Sequence, residues 1–126
     1  MTRVILVMKR PGNIRVLENA LASVGAACIT VSDEAALEAA LGGELMPAVA
    51  LVDATDFGTS VGPICGNLRG RGLPFIVLST PNVTVRARQS FIGAAHHLEK
   101  PVGKRLLQEL VSGLMQPATR LQKQGA

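Results

Sequence analysis

The chain has 126 residues, enough for one domain with a single core and no staples. Apolar residues make up 48% of it, yet there is no Trp or Tyr and only three Phe, so Val, Leu, Ile and Ala must fill that core. The formal charge of +4 is scattered, and without Tyr or Trp to stack on bases it disfavours direct nucleic-acid binding.

No stretch approaches the ~20 apolar residues of a membrane span. Met1-Thr2-Arg3 leads straight into a strand-like run, too short for a signal peptide's charged and apolar regions, so a cytoplasmic protein is expected. Cys28 and Cys65 have no metal-ligand spacing and are expected to pack as small reduced hydrophobes.

Arg3 to Met8, apolar after its first residue, is a strand candidate that ends abruptly in Lys9-Arg10-Pro11-Gly12. Ile14, Leu17, Leu21 and Val24 are spaced three and four apart, which predicts a helix over Asn13 to Val24, with Gly25 supplying a positive φ at its end. Ala27 to Val31 reads as the next strand. Ser32 is the expected cap of a helix from Asp33 to Leu41, with Asp33 and Glu34 favourable at its positive end, and Gly42-Gly43 closes it.

Ala48 to Asp53 is an unbroken apolar run ending in a carboxylate, the pattern of a parallel strand buried on both faces. In open α/β sheets the chemistry sits just past the carboxyl ends of the strands, which makes Asp53 a candidate functional carboxylate; a cap or loop anchor is the bland alternative.

A Gly-rich segment, Gly58 to Gly62, precedes a weaker helix from Pro63 to Arg69. Leu73 to Leu78 is a fourth strand running into Ser79-Thr80. Asn82 to Ile92 forms a helix short of apolar anchors, and Ala94 to Leu98 a short fifth strand. After Glu99-Lys100-Pro101, a helix from Val102 to Met115 carries Leu106, Leu107, Leu110, Val111 and Leu114, and Pro117 stops it. Five strands alternating with five helices predict an α/β doubly wound parallel sheet, with a domain over 1–116 and a polar tail or linker over 117–126.

The order of elements, Leu51-Val52-Asp53, Val77-Leu78-Ser79-Thr80, Phe91-Ile92-Gly93-Ala94 and Glu99-Lys100-Pro101 together resemble the receiver domain of two-component response regulators, over about residues 3 to 115. The resemblance implies a flavodoxin-like sheet of order 2-1-3-4-5. It also implies Asp53 as phosphoacceptor, Ser79 as the hydroxyl that binds a phosphoryl oxygen, Lys100 as the ammonium paired with Asp53, and a cis bond before Pro101.

Departures from that pattern matter as much. Where receivers carry two acids that hold magnesium, this chain has Met8 and Lys9, a soft thioether and a cation, although magnesium wants hard oxygen ligands. No metal and no cofactor are therefore expected, since Asp53 and a Thr55 carbonyl would be the only ligands left. Lys9 or Arg10 is expected either to stand beside Asp53 in place of the metal or to point into water. Phe57 replaces a proline, and His97 replaces the switch aromatic on strand five; a histidine there can read pH or simply be a partly exposed residue of an edge strand. His96 and His97 face opposite sides of a strand and make a poor metal pair.

The face of the fourth helix, fifth strand and fifth helix, where receivers dock partners and dimerise, carries Arg86, Arg88, Lys104 and Arg105. The implied partners are a histidine kinase, a phosphotransfer protein or an effector with an acidic surface, or a second copy of the chain. The expected function is an atypical receiver acting as an interaction module without magnesium-dependent phosphorylation. The alternative is a working phosphoacceptor at Asp53 with an adapted site. An enzyme or nucleotide binder is disfavoured, because no Gly-rich loop ending in Lys-Ser/Thr follows strand one.

Overall fold

The structure, a computed structural model, describes residues 2–43 and 46–115. Its core is a five-stranded parallel sheet of order β2-β1-β3-β4-β5, built from β1 (Thr2–Val7), β2 (Ala26–Val31), β3 (Val49–Asp53), β4 (Phe75–Ser79) and β5 (His96–Glu99). The crossovers are α1 (Pro11–Ala22), α2 (Glu34–Leu41), α3 (Val61–Gly70) and α4 (Pro81–Ala87), and α5 (Lys104–Leu114) follows β5. The expected fold class and strand order are both observed. Pro117 and the tail over 117–126 lie outside the described residues, as does the side chain of Arg86.

The period-two pleat sorts the core into two layers. Ile5, Val7, Ala50, Val52, Phe75 and Val77 face one side, where Leu37, Ile64 and Leu68 cover them. Val4, Leu6, Met8, Val49, Leu51, Ile76 and Leu78 face the other, under Leu21, Leu107 and Val111. Every residue of β3 and β4 is buried, as the unbroken apolar runs require.

The helix ends show where local chemistry overrules pattern. Pro11 at the first turn starts α1 two residues before the expected Asn13, because a proline lacks only an N–H that the helix start leaves unpaired. Gly25 has φ +81°, as its place after α1 demands. The cap of α2 is Asp33 and not Ser32: its carboxylate accepts from the Ala36 N–H at 2.7 Å, three residues on. The fourth helix is shorter than expected, ending at Ala87 and tightening into a 3-10 turn over Arg88–Phe91. Leu106 is 47% exposed, while Leu107, Val111 and Leu114 form the buried stripe of α5.

Candidate functional site

The site lies at the carboxyl ends of β1, β3, β4 and β5. Asp53 closes β3 and is 1% exposed. Its Oδ1 accepts from the Thr55 backbone N–H at 3.1 Å and from the Thr55 hydroxyl at 2.5 Å. Its Oδ2 accepts from Lys100 Nζ at 2.5 Å, and the same ammonium donates to Thr55 Oγ1 at 3.1 Å. Asp53 thus serves both as a loop anchor, capping the 3-10 turn Ala54–Asp56, and as one half of an ion pair.

Lys100 arrives there because its backbone N–H donates to the Ser79 carbonyl at 2.8 Å, extending the β4–β5 ladder, and the following Lys100–Pro101 bond is cis. A cleft of about 200 Å³ opens beside the pair between α1 and the segment after β5, with Val16, Leu17, Leu78 and Val102 in its walls.

Lys9 and Arg10 are both exposed, in keeping with the second expectation for the basic pair, but they are not without partners. Lys9 and Arg10 both engage Asp56, a residue the motif reading passed over. Asp56 Oδ2 accepts from the Lys9 backbone N–H at 2.8 Å, and Arg10 Nε lies 3.3 Å from Asp56 Oδ1. The Asp56 side chain is only 3% exposed, so a guanidinium and an N–H donor offset its desolvation. The ammonium of Lys9 sits 5.1 Å from the centre of the Phe57 ring, a cation–π distance. Met8 is fully buried among Leu6, Leu51 and their neighbours in the core.

Ser79 is fully buried and belongs to the other face of the sheet, in line with Phe75 and Val77. Its hydroxyl lies 2.7 Å from Thr84 Oγ1 and 2.7 Å from His97 Nε2. His97 is half-buried, with its ring centre 4.8 Å from that of Phe91 at an interplanar angle of 60°. His97 is partly exposed on the edge strand β5, as the second expectation has it, and its ring also has hydroxyl partners.

Burial pushes the His97 pKa below its ordinary 6.5, Arg88 acts in the same direction and Glu99 opposes them. A lowered folded-state pKa means that the unfolded chain takes up the proton first. The contribution is therefore complete above about pH 6.5 and is lost as pH falls through the folded value. Relative to His97→Gln, the unsubstituted protein should lose stability between pH 7 and pH 5. Urea midpoints measured at each pH check this, and parallel profiles for the two proteins would refute it.

Among the described residues no group of three or more His, Cys, Asp or Glu side chains is placed to hold a metal. The cysteines are free, and burial pushes both thiols up to about 11, as expected for packed, unreactive sulfurs. Of the basic residues expected on the partner face, Arg88, Lys104 and Arg105 are exposed, but Arg105 lines a groove with Val24 and Gln108 on the α1 side of α5. Asp56 and Thr84, together with the Thr55 hydroxyl, complete the site beyond the roles singled out in the sequence.

No protein-family model matches the sequence, and no curated protein matches it. Solved structures do match, receiver domains among them. A signal receiver domain of a signal transduction histidine kinase from Syntrophus aciditrophicus shares 21% identity over 91% of this chain and 90% of its own, with a TM-score of 0.77. A response regulator from Thermotoga maritima shares 20% identity over 91% and 98%, with a TM-score of 0.74. The receiver domain of a sensor histidine kinase from Pseudomonas aeruginosa, with a magnesium ion coordinated in its active-site cleft, shares 26% identity over 90% and 97%, with a TM-score of 0.70. The fold of this chain is the receiver fold.

Proposed function

We propose that this chain is an atypical receiver module of two-component, phosphorelay-type signalling that works through protein contacts and without magnesium-dependent phosphorylation. One observation carries the reading: both carboxylates at the site already hold cations and N–H donors of the chain itself. Asp53 is shared between Lys100 and Thr55, and Asp56 between Arg10 and the Lys9 backbone.

Magnesium needs several hard oxygen donors in near-octahedral order. Here the positions that would complete the set carry a core thioether at Met8 and an ammonium at Lys9, so the residues present do not fit the ion. The Pseudomonas aeruginosa domain, which does hold magnesium in its cleft, is the instructive contrast.

The partner is a kinase, a phosphotransfer protein or an effector whose acidic surface meets Arg88 and Lys104. Such charges set encounter rate and specificity more than affinity. Residues 117–126 serve as a polar tail or linker.

A second reading has its own support. The Asp53–Lys100 pair stands beside an open cleft, so a phosphoryl donor could reach Asp53 with Lys100 as the only neutralising charge.

Nuclear magnetic resonance separates the two. In the metal-free module, amide signals of Asp53, Thr55, Ser79 and Lys100 stay in place at millimolar magnesium and after beryllofluoride is added as phosphoryl mimic. Saturable shifts running from Asp53 to His97 would restore a phosphorylation switch.

A further inference from the structure

Four contacts converge where β4 meets α4 and β5. Ser79 Oγ is 2.7 Å from Thr84 Oγ1 and 2.7 Å from His97 Nε2. Thr84 Oγ1 is in turn 3.0 Å from the Thr80 carbonyl oxygen and 3.3 Å from His97 Nε2. Each hydroxyl has one hydrogen to give, and a carbonyl can only accept. The Thr80 carbonyl accepts from the Thr84 backbone N–H at 2.9 Å, and with the Thr84 hydroxyl donating to it as well, Ser79 supplies the hydrogen between the two hydroxyls.

With that hydrogen spent, the Ser79–His97 bond takes its hydrogen from Nε2. The same N–H, lying between two oxygens, also serves the longer contact to Thr84. A bare Nε2 would let only two of the four contacts carry a hydrogen. Tautomers are assigned from such networks, and the order with a protonated Nε2 is the one that gives all four contacts a hydrogen.

We infer that Thr84 is a positioning residue that sets this proton order, turning the Ser79 hydroxyl hydrogen away from Asp53 and holding His97 as an Nε2–H donor. The end of β4, the first turn of α4 and β5 are thereby joined before any group is placed on Asp53. The pleat works in the same sense, since Ser79 faces the Phe75 and Val77 side while Asp53 lines the cleft beside α1.

Groups packed around the ring are consistent with a neutral imidazole whose Nδ1 is bare at pH 7.5. Phe91 approaches it from α4's following turn, and burial and Arg88 outweigh Glu99. Any group arriving on Asp53 can receive the Ser79 hydrogen only after the Ser79–Thr84 bond breaks.

The test reads the ring nitrogens directly, by long-range proton–nitrogen correlation on the full, nitrogen-15-labelled chain at pH 7.5, with His96→Gln to tell the two histidines apart. The expected result is a pyrrole-type Nε2 and a pyridine-type Nδ1 for His97. In Thr84→Val the Ser79 hydrogen is released to turn toward Nε2, whose signal moves toward the pyridine type, and Thr84→Ser restores it. A pyridine-type Nε2 in the unsubstituted protein overturns the inference, as do unchanged ring nitrogens in folded Thr84→Val. The unsubstituted protein decides the tautomer even if the valine variant does not fold. No magnesium or phosphoryl mimic is present, so the outcome is independent of the metal-free reading above.

Discussion

Replacing Lys100 by Met should cost about 3 kcal/mol of folding stability, whereas replacing Asp53 by Asn should cost about 1 kcal/mol. The asymmetry follows from where each charge can go when its partner is removed. The Asp53 side chain is 2% exposed, so without Lys100 its charge is left in the protein with only Thr55 as donor. A buried charge stripped of its partner is among the costliest single defects a fold can carry.

Lys100 is 24% exposed and carries a flexible stem, so without Asp53 its ammonium swings toward water. In the double variant the carboxylate is gone, and losing Lys100 costs little more than its packing. The cycle should therefore return a coupling energy of about 2 kcal/mol between the two positions. Urea unfolding with a constant slope measures all four proteins. Equal costs for the two single variants would refute the asymmetry, and a coupling within the noise would show that the short Asp53–Lys100 contact carries no net stabilisation.

Asp53 was legible in the sequence because it closes an apolar run, the mark of a strand end in a parallel sheet, whereas Lys100 as its partner came from the resemblance of Glu99-Lys100-Pro101 to the receiver pattern. The same reasoning reached Ser79 and His97 as positions but not their relation. Thr84 lies five residues past Ser79, across a strand-to-helix turn whose path no periodicity describes, so their 2.7 Å contact had no sequence signature.

Asp56 was missed for a different reason. Attention to what replaced an acidic pair after β1 left unasked where the two new cations would find carboxylates. The signal was present in Asp53-Ala54-Thr55-Asp56, two acids three apart beside a loop that had gained two bases. Charge balance, more than motif matching, would have found it. Leu106 shows the limit of spacing alone: of five apolar positions on one helix, Leu107, Val111 and Leu114 are buried and Leu110 is partly buried, and only packing against β1, β3 and β4 shows that Leu106 is the one left in water.

Restoring acids after β1 is the change with the second large expected effect, and it bears on the proposed function. Met8 is fully buried in the layer formed with Leu6, Leu51 and Leu78. Met8→Asp removes that packing and brings a carboxylate toward the same core, at a cost of about 3–4 kcal/mol in magnesium-free buffer. Adding Lys9→Asp removes the ammonium that sits over Phe57 and sets a further negative charge near Asp53 and Asp56. Like charges gathered in one site repel, so the double variant should be the less stable of the two until a cation enters.

Binding to the folded state alone then stabilises by RT ln(1 + [L]/Kd), about 1.4 kcal/mol at tenfold excess over Kd. Magnesium should consequently raise the thermal midpoint of the Met8→Asp, Lys9→Asp variant by several degrees and leave that of the unsubstituted chain unmoved. Thermal scans with magnesium or with the same ionic strength of sodium chloride distinguish specific binding from screening. A magnesium-dependent rise in the unsubstituted chain would mean that Asp53 and Asp56 release Lys100 and Arg10 to the metal. The cations of this site would then be exchangeable, and not the fixed substitutes on which the metal-free reading depends.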